Sequence, residues 1–262
     1  MKAAYAGFDL LDTALESMIA EGCTILEVFT CPVDQETEFN SHVKQIAETL
    51  HIPCTEKPIR PEDIRRLKEQ GCELLISAGY YFRIPVEPGM LMFNIHPSLL
   101  PEGRGAWPMP VMLLEGQKQG GVTLHRLEED FDAGDIVWQA AFDIGEKDTL
   151  EDLTRKIREQ IPEMLHELLR DPQGAADRAV RQQGGSFWPC PHEEDFPIFS
   201  SMTVEEADRI LRAFYGFGCI YQKEEERWLL IRGRACSGGA EDRKGRFSLK
   251  DGWIQAEKAD KL

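Results

Sequence analysis

The stretch MLMFNIHPSLLPEGRG covers residues 90–105 and joins an apolar run to a loop rich in proline and glycine. The apolar run predicts a buried strand over residues 90–95, and the prolines and glycines predict an irregular path after it. Asn94 and His96 lie two positions apart, so their side chains face the same side if the strand continues through them. Polar side chains at the carboxyl end of such a strand are typical of the active sites of α/β domains.

The rest of the first half alternates strand-like and helix-like segments, which is typical of an α/β domain with a mostly parallel sheet. An acidic loop between the last two predicted strands carries Asp132, which we expect to converge with Asn94 and His96. The further strands are predicted at residues 2–6, 24–30, 73–78, 122–127 and 136–144, and the helices at 10–20, 41–50, 61–70, 108–115 and 150–169.

The C-terminal part of the chain has a different pattern of predicted elements, with short strand candidates and one helix. We predict two domains, residues 1–184 and residues 185–262, the second being small, β-rich and similar to part of a barrel. Residues 175–185 are a candidate polar linker, and the aromatic residues of 214–217 leave a homodimer open. The predicted elements of the tail are a helix at 204–214 and strands at 219–222, 227–232, 246–249 and 253–256.

Charge is unevenly distributed along the 262 residues, whose formal net charge is -16. Residues 204–262 hold 12 Lys and Arg against 11 Asp and Glu, whereas residues 1–203 hold 18 against 35. A strongly acidic body repels phosphate backbones, so general nucleic-acid binding is disfavoured, although tRNA is not excluded. A local pocket for one phosphorylated small molecule also stays open.

The seven cysteines are odd in number, and no two of them have CxxC spacing. This pattern disfavours a zinc site or a disulfide framework and favours a reducing compartment. The N-terminus lacks the apolar run of a signal peptide, and no segment is long and apolar enough to predict a membrane span. We therefore expect a cytoplasmic protein with no membrane partner and no metal.

An amide, an imidazole and a carboxylate together suit acyl transfer to an amine. The tetrahedral intermediate carries an oxyanion, to which Asn94 or a protonated His96 would donate hydrogen bonds. A nearby carboxylate is expected to raise the pKa of His96, and Asp132 would relay a proton. Considered singly, each has a plainer interpretation: a turn residue for Asn94, a loop histidine for His96 and a solvated loop acid for Asp132.

A longer set of motifs supports the catalytic interpretation. The string NIHPSLLP at residues 94–101 is followed by RG at 104–105, GVT at 121–123 and DAG at 132–134. Together they resemble the folate-dependent formyltransferase family, strongly over residues 70–145 and weakly beyond 185. That family includes methionyl-tRNA, glycinamide ribonucleotide and nucleotide-sugar N-formyltransferases.

The resemblance implies a Rossmann-like catalytic domain, 10-formyltetrahydrofolate as the formyl donor, and Asn94, His96 and Asp132 as the catalytic residues. It also implies a cis peptide between Leu100 and Pro101. The implied folate contacts are Phe82, Ile84, Leu127, Glu129, Asp130 and Asp132, and the implied acceptor contacts are Ser98, Arg104 and Trp107.

Several of these residues also have a structural interpretation. Phe82 and Ile84 are as well suited to core packing, Arg104 to bonding backbone carbonyls in its loop, and Trp107 to anchoring the following helix. His125 is expected to be structural, because Glu128 lies three positions away and would face the opposite side of a strand.

The favoured acceptor is a small primary amine, above all an amino sugar carried on a nucleotide. Methionyl-tRNA is the alternative, disfavoured by the nearly neutral tail and the acidic body. Two further alternatives are hydrolysis of formyltetrahydrofolate and a folate-binding protein without activity. Nicotinamide and P-loop nucleotide chemistry lack their glycine-rich loops in this sequence.

Overall fold

The computed structural model describes residues 1–238 and 246–262. They form two compact units that are each assembled from several pieces of the chain. The first unit contains Met1–Ala106, Gly121–Phe142 and Thr154–Trp188, and the second contains Trp107–Gly120, Asp143–Leu153 and Pro189–Leu262. The domain boundary expected between residues 184 and 185 stays a prediction.

A seven-stranded sheet forms the centre of the first unit, in the order β3-β2-β1-β4-β5-β6-β7. Strands β1 to β5 pair in parallel, and β6 runs antiparallel to β5. The mostly parallel, Rossmann-like α/β sheet is therefore confirmed. The strands are β1 (Lys2–Gly7), β2 (Thr24–Phe29), β3 (Cys54–Thr55), β4 (Leu74–Ala78), β5 (Leu91–His96), β6 (Gln119–Arg126) and β7 (Ile136–Asp143).

Helix α3 begins and ends where the local sequence predicts. Pro61 occupies the first turn of α3, the Asp63 carboxylate accepts from the Arg60 amide at 2.9 Å, and Gly71 turns the chain after the helix with a φ of 82°; each arrangement is favourable at that end of a helix. The helices are α1 (Thr13–Ala20), α2 (Ser41–Thr49), α3 (Pro61–Glu69), α4 (Pro108–Leu114), α5 (Leu150–Arg170), α6 (Pro172–Asp177) and α7 (Val204–Ala213).

Two predicted segments are corrected by the structure. The helix expected over residues 10–20 is divided into a 3-10 turn, Asp9–Leu11, and α1. The polar linker expected at 175–185 is partly helical, because α6 extends into it; the Asp171 carboxylate caps α6 by accepting from the Gly174 amide at 3.0 Å. The predicted cis peptide between Leu100 and Pro101 is present.

Small side chains on β1 keep the central sheet closely packed. Ala3, Ala4 and Ala6 have no exposed surface. At the end of the strand, a Cβ on Gly7 would lie 2.2 Å from the carbonyl oxygen of Ala78 on β4. Any side chain at position 7 would therefore displace β4 next to the loops that follow both strands.

Seven short strands and α7 make up most of the second unit. They form a four-stranded sheet in the order β14-β10-β9-β8 and a three-stranded sheet in the order β11-β13-β12. The small β-rich C-terminal part is thereby confirmed, although β8, β11 and β14 were not predicted. The strands are β8 (Ile198–Phe199), β9 (Cys219–Lys223), β10 (Glu226–Ile231), β11 (Arg234–Ser237), β12 (Arg246–Ser248), β13 (Gly252–Gln255) and β14 (Lys258–Lys261).

Neither a membrane helix nor a metal cluster is found in the described part of the chain. None of the helices within residues 1–238 and 246–262 combines the length and the apolarity that crossing a bilayer requires. In the same residues, no group of three or more His, Cys, Asp and Glu side chains is arranged to hold a metal ion.

Candidate active site

Strands β5 and β6 place four polar side chains on one face of the sheet. Asn94 lies opposite His125, and His96 lies opposite Thr123. Residues directly opposite each other in a β-pair project to the same face, as do residues two apart on one strand. The two strands thus bring an amide, two imidazoles and a hydroxyl together at the end of β5.

The Asp132 carboxylate completes this group from the loop after β6. Its Oδ1 lies 3.4 Å from Nδ1 of His96 and 3.6 Å from Nε2 of His125. The side-chain amide nitrogen of Asn94, Nδ2, lies 3.1 Å from Nε2 of His125. The structure therefore brings the three predicted catalytic residues together, with His125 lying between Asn94 and Asp132.

Backbone partners define which nitrogen of each imidazole carries the proton. Nε2 of His96 lies 2.8 Å from the carbonyl oxygen of Gly103, and Nδ1 of His125 lies 2.8 Å from that of Arg126. A carbonyl oxygen only accepts, so both of these nitrogens donate. In the neutral rings, Nδ1 of His96 then presents a lone pair towards Asp132, and Nε2 of His125 accepts from Asn94.

The pKa of His96 differs from the expectation. Burial is the largest influence and lowers the pKa of His96, even though Asp132 and the Gly103 carbonyl both act to raise it. The expected rise of this pKa is therefore wrong, because the carboxylate does not compensate for the loss of water around a side chain that is 5% exposed. His96 rests as a neutral imidazole at neutral pH.

Asp132 is held as a carboxylate. Burial raises the pKa of Asp132, but His96, His125 and the Gly105 amide outweigh that effect and lower it to about 2. The Gly105 amide donates to Oδ2 at 2.9 Å, which leaves Oδ1 facing the two histidines. The site thus places a fixed negative charge against the two imidazoles.

The residues expected to bind folate fall into two groups. Ile84 is buried in the apolar cluster beneath the sheet and Leu127 packs against it, while Phe82 contacts Tyr80 edge to face at 5.5 Å. Glu129 and Asp130 are exposed, and the Glu129 carbonyl accepts from the Arg83 guanidinium. Packing accounts for Ile84 and Leu127, and a folate contact by any of the five stays a prediction.

The residues expected to bind the acceptor are already engaged with the protein. The Ser98 hydroxyl donates to the Glu102 carbonyl at 2.7 Å. The Arg104 guanidinium donates to Oε1 of Gln182 and, at 3.1 Å, to the Gly184 carbonyl, which agrees with the structural interpretation of that arginine. Their contact with an acceptor stays a prediction.

Trp107 belongs to the second unit, where it precedes α4. Its ring lies 4.7 Å from that of Phe217 and 5.9 Å from that of Phe214. Packing of this kind anchors the start of the helix, as the structural interpretation expected. An acceptor contact by Trp107 likewise stays a prediction.

His125 is the site residue that sequence reasoning missed. It is 1% exposed and contacts both Asn94 and Asp132. Its position follows from the register of β5 against β6, two strands separated by residues 97–118. A register across so long a connection cannot be derived from strand periodicity, although the alternation of Thr123 and His125 within a buried strand is a usable signal.

The fold and the site together define a Rossmann-like α/β protein with a partly buried amide–imidazole–carboxylate centre at the end of a sheet strand. The chain belongs to the formyl transferase family: the model of that family, described as "Formyl transferase", matches residues 20–169. The family predicted from the motifs is therefore confirmed.

Individual relatives share different extents of the chain. A methionyl-tRNA formyltransferase of Ehrlichia ruminantium (strain Gardel) is 34% identical over 171 residues, which are 64% of this chain and 55% of that protein. The chain thus spans about half the length of that curated relative.

Solved structures with low sequence identity share the fold. HypX from Aquifex aeolicus in complex with tetrahydrofolic acid superposes with a TM-score of 0.75 at 16% identity, over all of this chain and 46% of HypX. An N-formyltransferase from Helicobacter canadensis, in complex with folinic acid and dTDP-3-aminofucose, gives 0.70 at 19% identity over the whole of both chains.

Proposed function

We propose that the protein transfers a formyl group from 10-formyltetrahydrofolate to a primary amine. The observation that carries this proposal is the convergence of Asn94, His96 and Asp132 at the end of β5. Support also comes from the family and from the relatives' names, since HypX was solved with tetrahydrofolic acid and the Helicobacter canadensis enzyme with folinic acid. Asn94 and Asp132 remain partly exposed, which gives a substrate access to them.

The transfer begins when the amine nitrogen attacks the formyl carbon on N10 of the folate. The carbonyl oxygen becomes an oxyanion, and the bond from carbon to N10 then breaks. The amine loses one proton and N10 gains one, so the products are the N-formyl amine and tetrahydrofolate. No covalent bond to the protein is required.

Each polar residue has a role that its geometry supports. A primary amide has two N–H groups, so Asn94 donates one to His125 and keeps the second for the oxyanion. Asp132 relays the proton from the amine to N10, directly or through water. Nδ1 of His96, 3.4 Å from the Asp132 carboxylate, shares the proton that the amine loses until that proton passes to N10.

The proposed acceptor is a small primary amine, with an amino sugar on a nucleotide as the favoured class. The Helicobacter canadensis neighbour, solved with dTDP-3-aminofucose, supports that class. Methionyl-tRNA is the second candidate, because the Ehrlichia ruminantium relative bears that activity in its name. The excess of acidic residues over 1–203 argues against a polyanionic acceptor.

Mass spectrometry of acceptor panels tests the proposal. The protein is incubated with 10-formyltetrahydrofolate and with amino sugars, amino-sugar nucleotides, amino acids or methionyl-tRNA, and each acceptor is examined for the mass of one formyl group. Formylation of methionyl-tRNA alone would replace the favoured acceptor by the second candidate. Release of formate without formylation of any amine would instead indicate a hydrolase.

Variants distinguish catalysis from folate binding without chemistry. Asn94→Ala and Asp132→Asn are expected to lower kcat by at least about 100-fold, the usual effect of removing an oxyanion donor or a proton relay. Asp177→Asn, the same chemical change at an exposed position on α6, serves as the matched control. Unchanged transfer in both site variants would contradict the mechanism.

A further inference from the structure

We propose that Gln182 is a positioning residue whose side-chain amide holds the Asp132 loop and the loop of residues 101–105 in the arrangement that formyl transfer requires. This inference rests on the proposed function, which it extends to a residue outside the catalytic group. Gln182 lies in the segment that follows α6, far along the chain from both loops.

The side chain of Gln182 makes four hydrogen bonds across the two loops. Its amide nitrogen donates to the carbonyl oxygen of Asp132 at 2.8 Å and to that of Gly134 at 2.7 Å. Its Oε1 accepts from Nε of Arg104 at 3.0 Å and from Nη2 at 2.9 Å. A primary amide offers two N–H groups and two lone pairs, so every one of these is used.

The bonds to the first loop support an unfavourable backbone conformation. Asp132 has a φ of 54°, in the left-handed region that costs a residue other than glycine on the order of 1 kcal/mol. Such a conformation persists only where the surroundings hold it. By binding the carbonyl oxygens of Asp132 and Gly134, Gln182 fixes the turn that directs the Asp132 carboxylate towards His96 and His125.

The bonds to Arg104 hold the second loop, residues 101–105, whose backbone contacts both His96 and Asp132. Arg104 lies between Gly103, whose carbonyl accepts from His96, and Gly105, whose amide donates to Asp132. The backbone of Arg104 is also paired with residues that follow Gln182. Its amide donates to the Ser186 carbonyl at 3.0 Å, and its carbonyl accepts from the Trp188 amide at 2.7 Å. Gln182 therefore connects the loop that orients His96 with the loop that carries Asp132.

Steady-state kinetics of three variants test this role. Gln182→Leu removes all four hydrogen bonds at similar volume, and displacement of a catalytic group by about 1 Å costs up to about 100-fold in rate. We expect kcat to fall about 10- to 100-fold, with the KM for the folate changed less than about 3-fold. Gln182→Glu keeps the acceptors for Arg104 but loses both donors, so its kcat is expected to be lower than that of the parent. Gln183→Leu, at the exposed neighbouring glutamine, is the matched control.

A double-variant cycle separates positioning from general support of the fold. If Gln182 acts through Asp132, adding Gln182→Leu to Asp132→Asn lowers kcat by less than about 2-fold further, because residues that act as a unit are not additive. Losses that multiply in the double variant would overturn the proposal. So would an unchanged kcat in Gln182→Leu.

A readout without activity keeps this test apart from that of the proposed function. The ¹⁵N imidazole resonances of His96 and His125 report their contact with Asp132. They are expected to move in Gln182→Leu and to stay in place in Gln183→Leu. Unchanged resonances in Gln182→Leu would overturn the positioning role, whereas a parent protein that formylates no amine would overturn the proposed function and leave this result standing.

Discussion

The side-chain amide of Asn94 donates to Nε2 of His125 over 3.1 Å, from the position directly opposite on the neighbouring strand. His125 is itself fixed by its Nδ1, which donates to the carbonyl of Arg126. When Nε2 of this ring carries no proton it is an acceptor, and the NH₂ group of Asn94 is the part of the amide that donates to it. The pairing of β5 with β6 therefore orients the second N–H of Asn94 in the absence of a ligand.

Removal of His125 is the first prediction. His125→Leu deprives the Asn94 amide of its acceptor, and we expect kcat to fall about 10-fold and the free energy of unfolding to fall by about 1 kcal/mol. His125→Gln offers a carbonyl oxygen in place of Nε2 and is expected to recover part of both losses. Kinetics and urea denaturation measure the two effects, with His166→Leu on the exposed face of α5 as the control. Wild-type kinetics in His125→Leu would show that Asn94 needs no such partner.

Asp132 gives a prediction for acid stability. Its folded pKa, about 2, lies below the ordinary value of 3.8, so its contribution is complete above pH 4 and is lost as the pH falls towards 2. The size of this contribution is about 2 kcal/mol. Denaturation of the parent and of Asp132→Asn from pH 6 to pH 2 checks this: the parent is expected to lose more stability than the variant on acidification. Parallel curves would mean that Asp132 titrates normally.

The titration of His96 provides the third prediction. Burial lowers the pKa of His96 below the ordinary 6.5, so the unfolded chain binds this proton at a higher pH than the folded protein. Stability is therefore expected to fall as the pH drops below 6.5, and His96→Gln is expected to weaken that dependence. NMR titration of the imidazole and denaturation at pH 5 and pH 7 measure the two quantities. A folded pKa above 6.5 would restore the imidazolium as the resting form.

His42 shows the opposite linkage, at a position outside the candidate active site. A hydrogen bond with Asp12 is the main cause that raises the pKa of His42, with Glu16 and Asp9 adding to it and burial opposing it. Nδ1 lies 2.6 Å from the Asp12 carboxylate, which also pairs with Arg158 at 2.5 Å. The contribution of the charged His42 is present below pH 6.5 and is lost as the pH rises through the raised pKa.

The fourth prediction follows from that linkage. Because His42 is 43% exposed, solvent screening limits its contribution to about 0.5–1 kcal/mol. His42→Gln is expected to lower the free energy of unfolding by this amount at pH 6 and by much less at pH 9. Urea denaturation at the two pH values measures the difference, and an equal loss at both would indicate lost packing in place of a lost charge.

Strands β1, β2, β4 and β5 of the parallel sheet could be predicted from sequence because they are apolar runs that end at glycine, proline or polar residues, whereas the two-residue strand β3 was not predicted. The motif around Asn94 and His96 predicted residues that the structure brings together with Asp132. Strands β11 and β14 were missed because segments such as KADK at 258–261 have no apolar alternation. Their pairing depends on neighbouring strands, which local sequence does not describe.

The contacts between distant segments were the other part that sequence could not supply. The neutral state of His96 follows from burial by surrounding elements, and the partners of Arg104 come from a segment almost 80 residues later. A side chain such as Gln182, in a polar stretch beside a second glutamine, has no pattern that distinguishes it from a solvated residue. Only the structure shows that Gln182 is the glutamine that bonds to both loops.

Two glycines of the loop after β5 serve the site through main-chain atoms, the carbonyl of Gly103 and the amide of Gly105. Amino-acid replacement would leave such atoms in the chain but would change the path that places them, because the two glycines have φ of 72° and 126° and a Cβ on them would lie 2.7 Å and 2.3 Å from Trp188. The insertion of a single residue between 103 and 105 would likewise separate the imidazole from the carboxylate. For anyone redesigning the acceptor preference, the two glycines and the length of this loop are therefore to be kept constant.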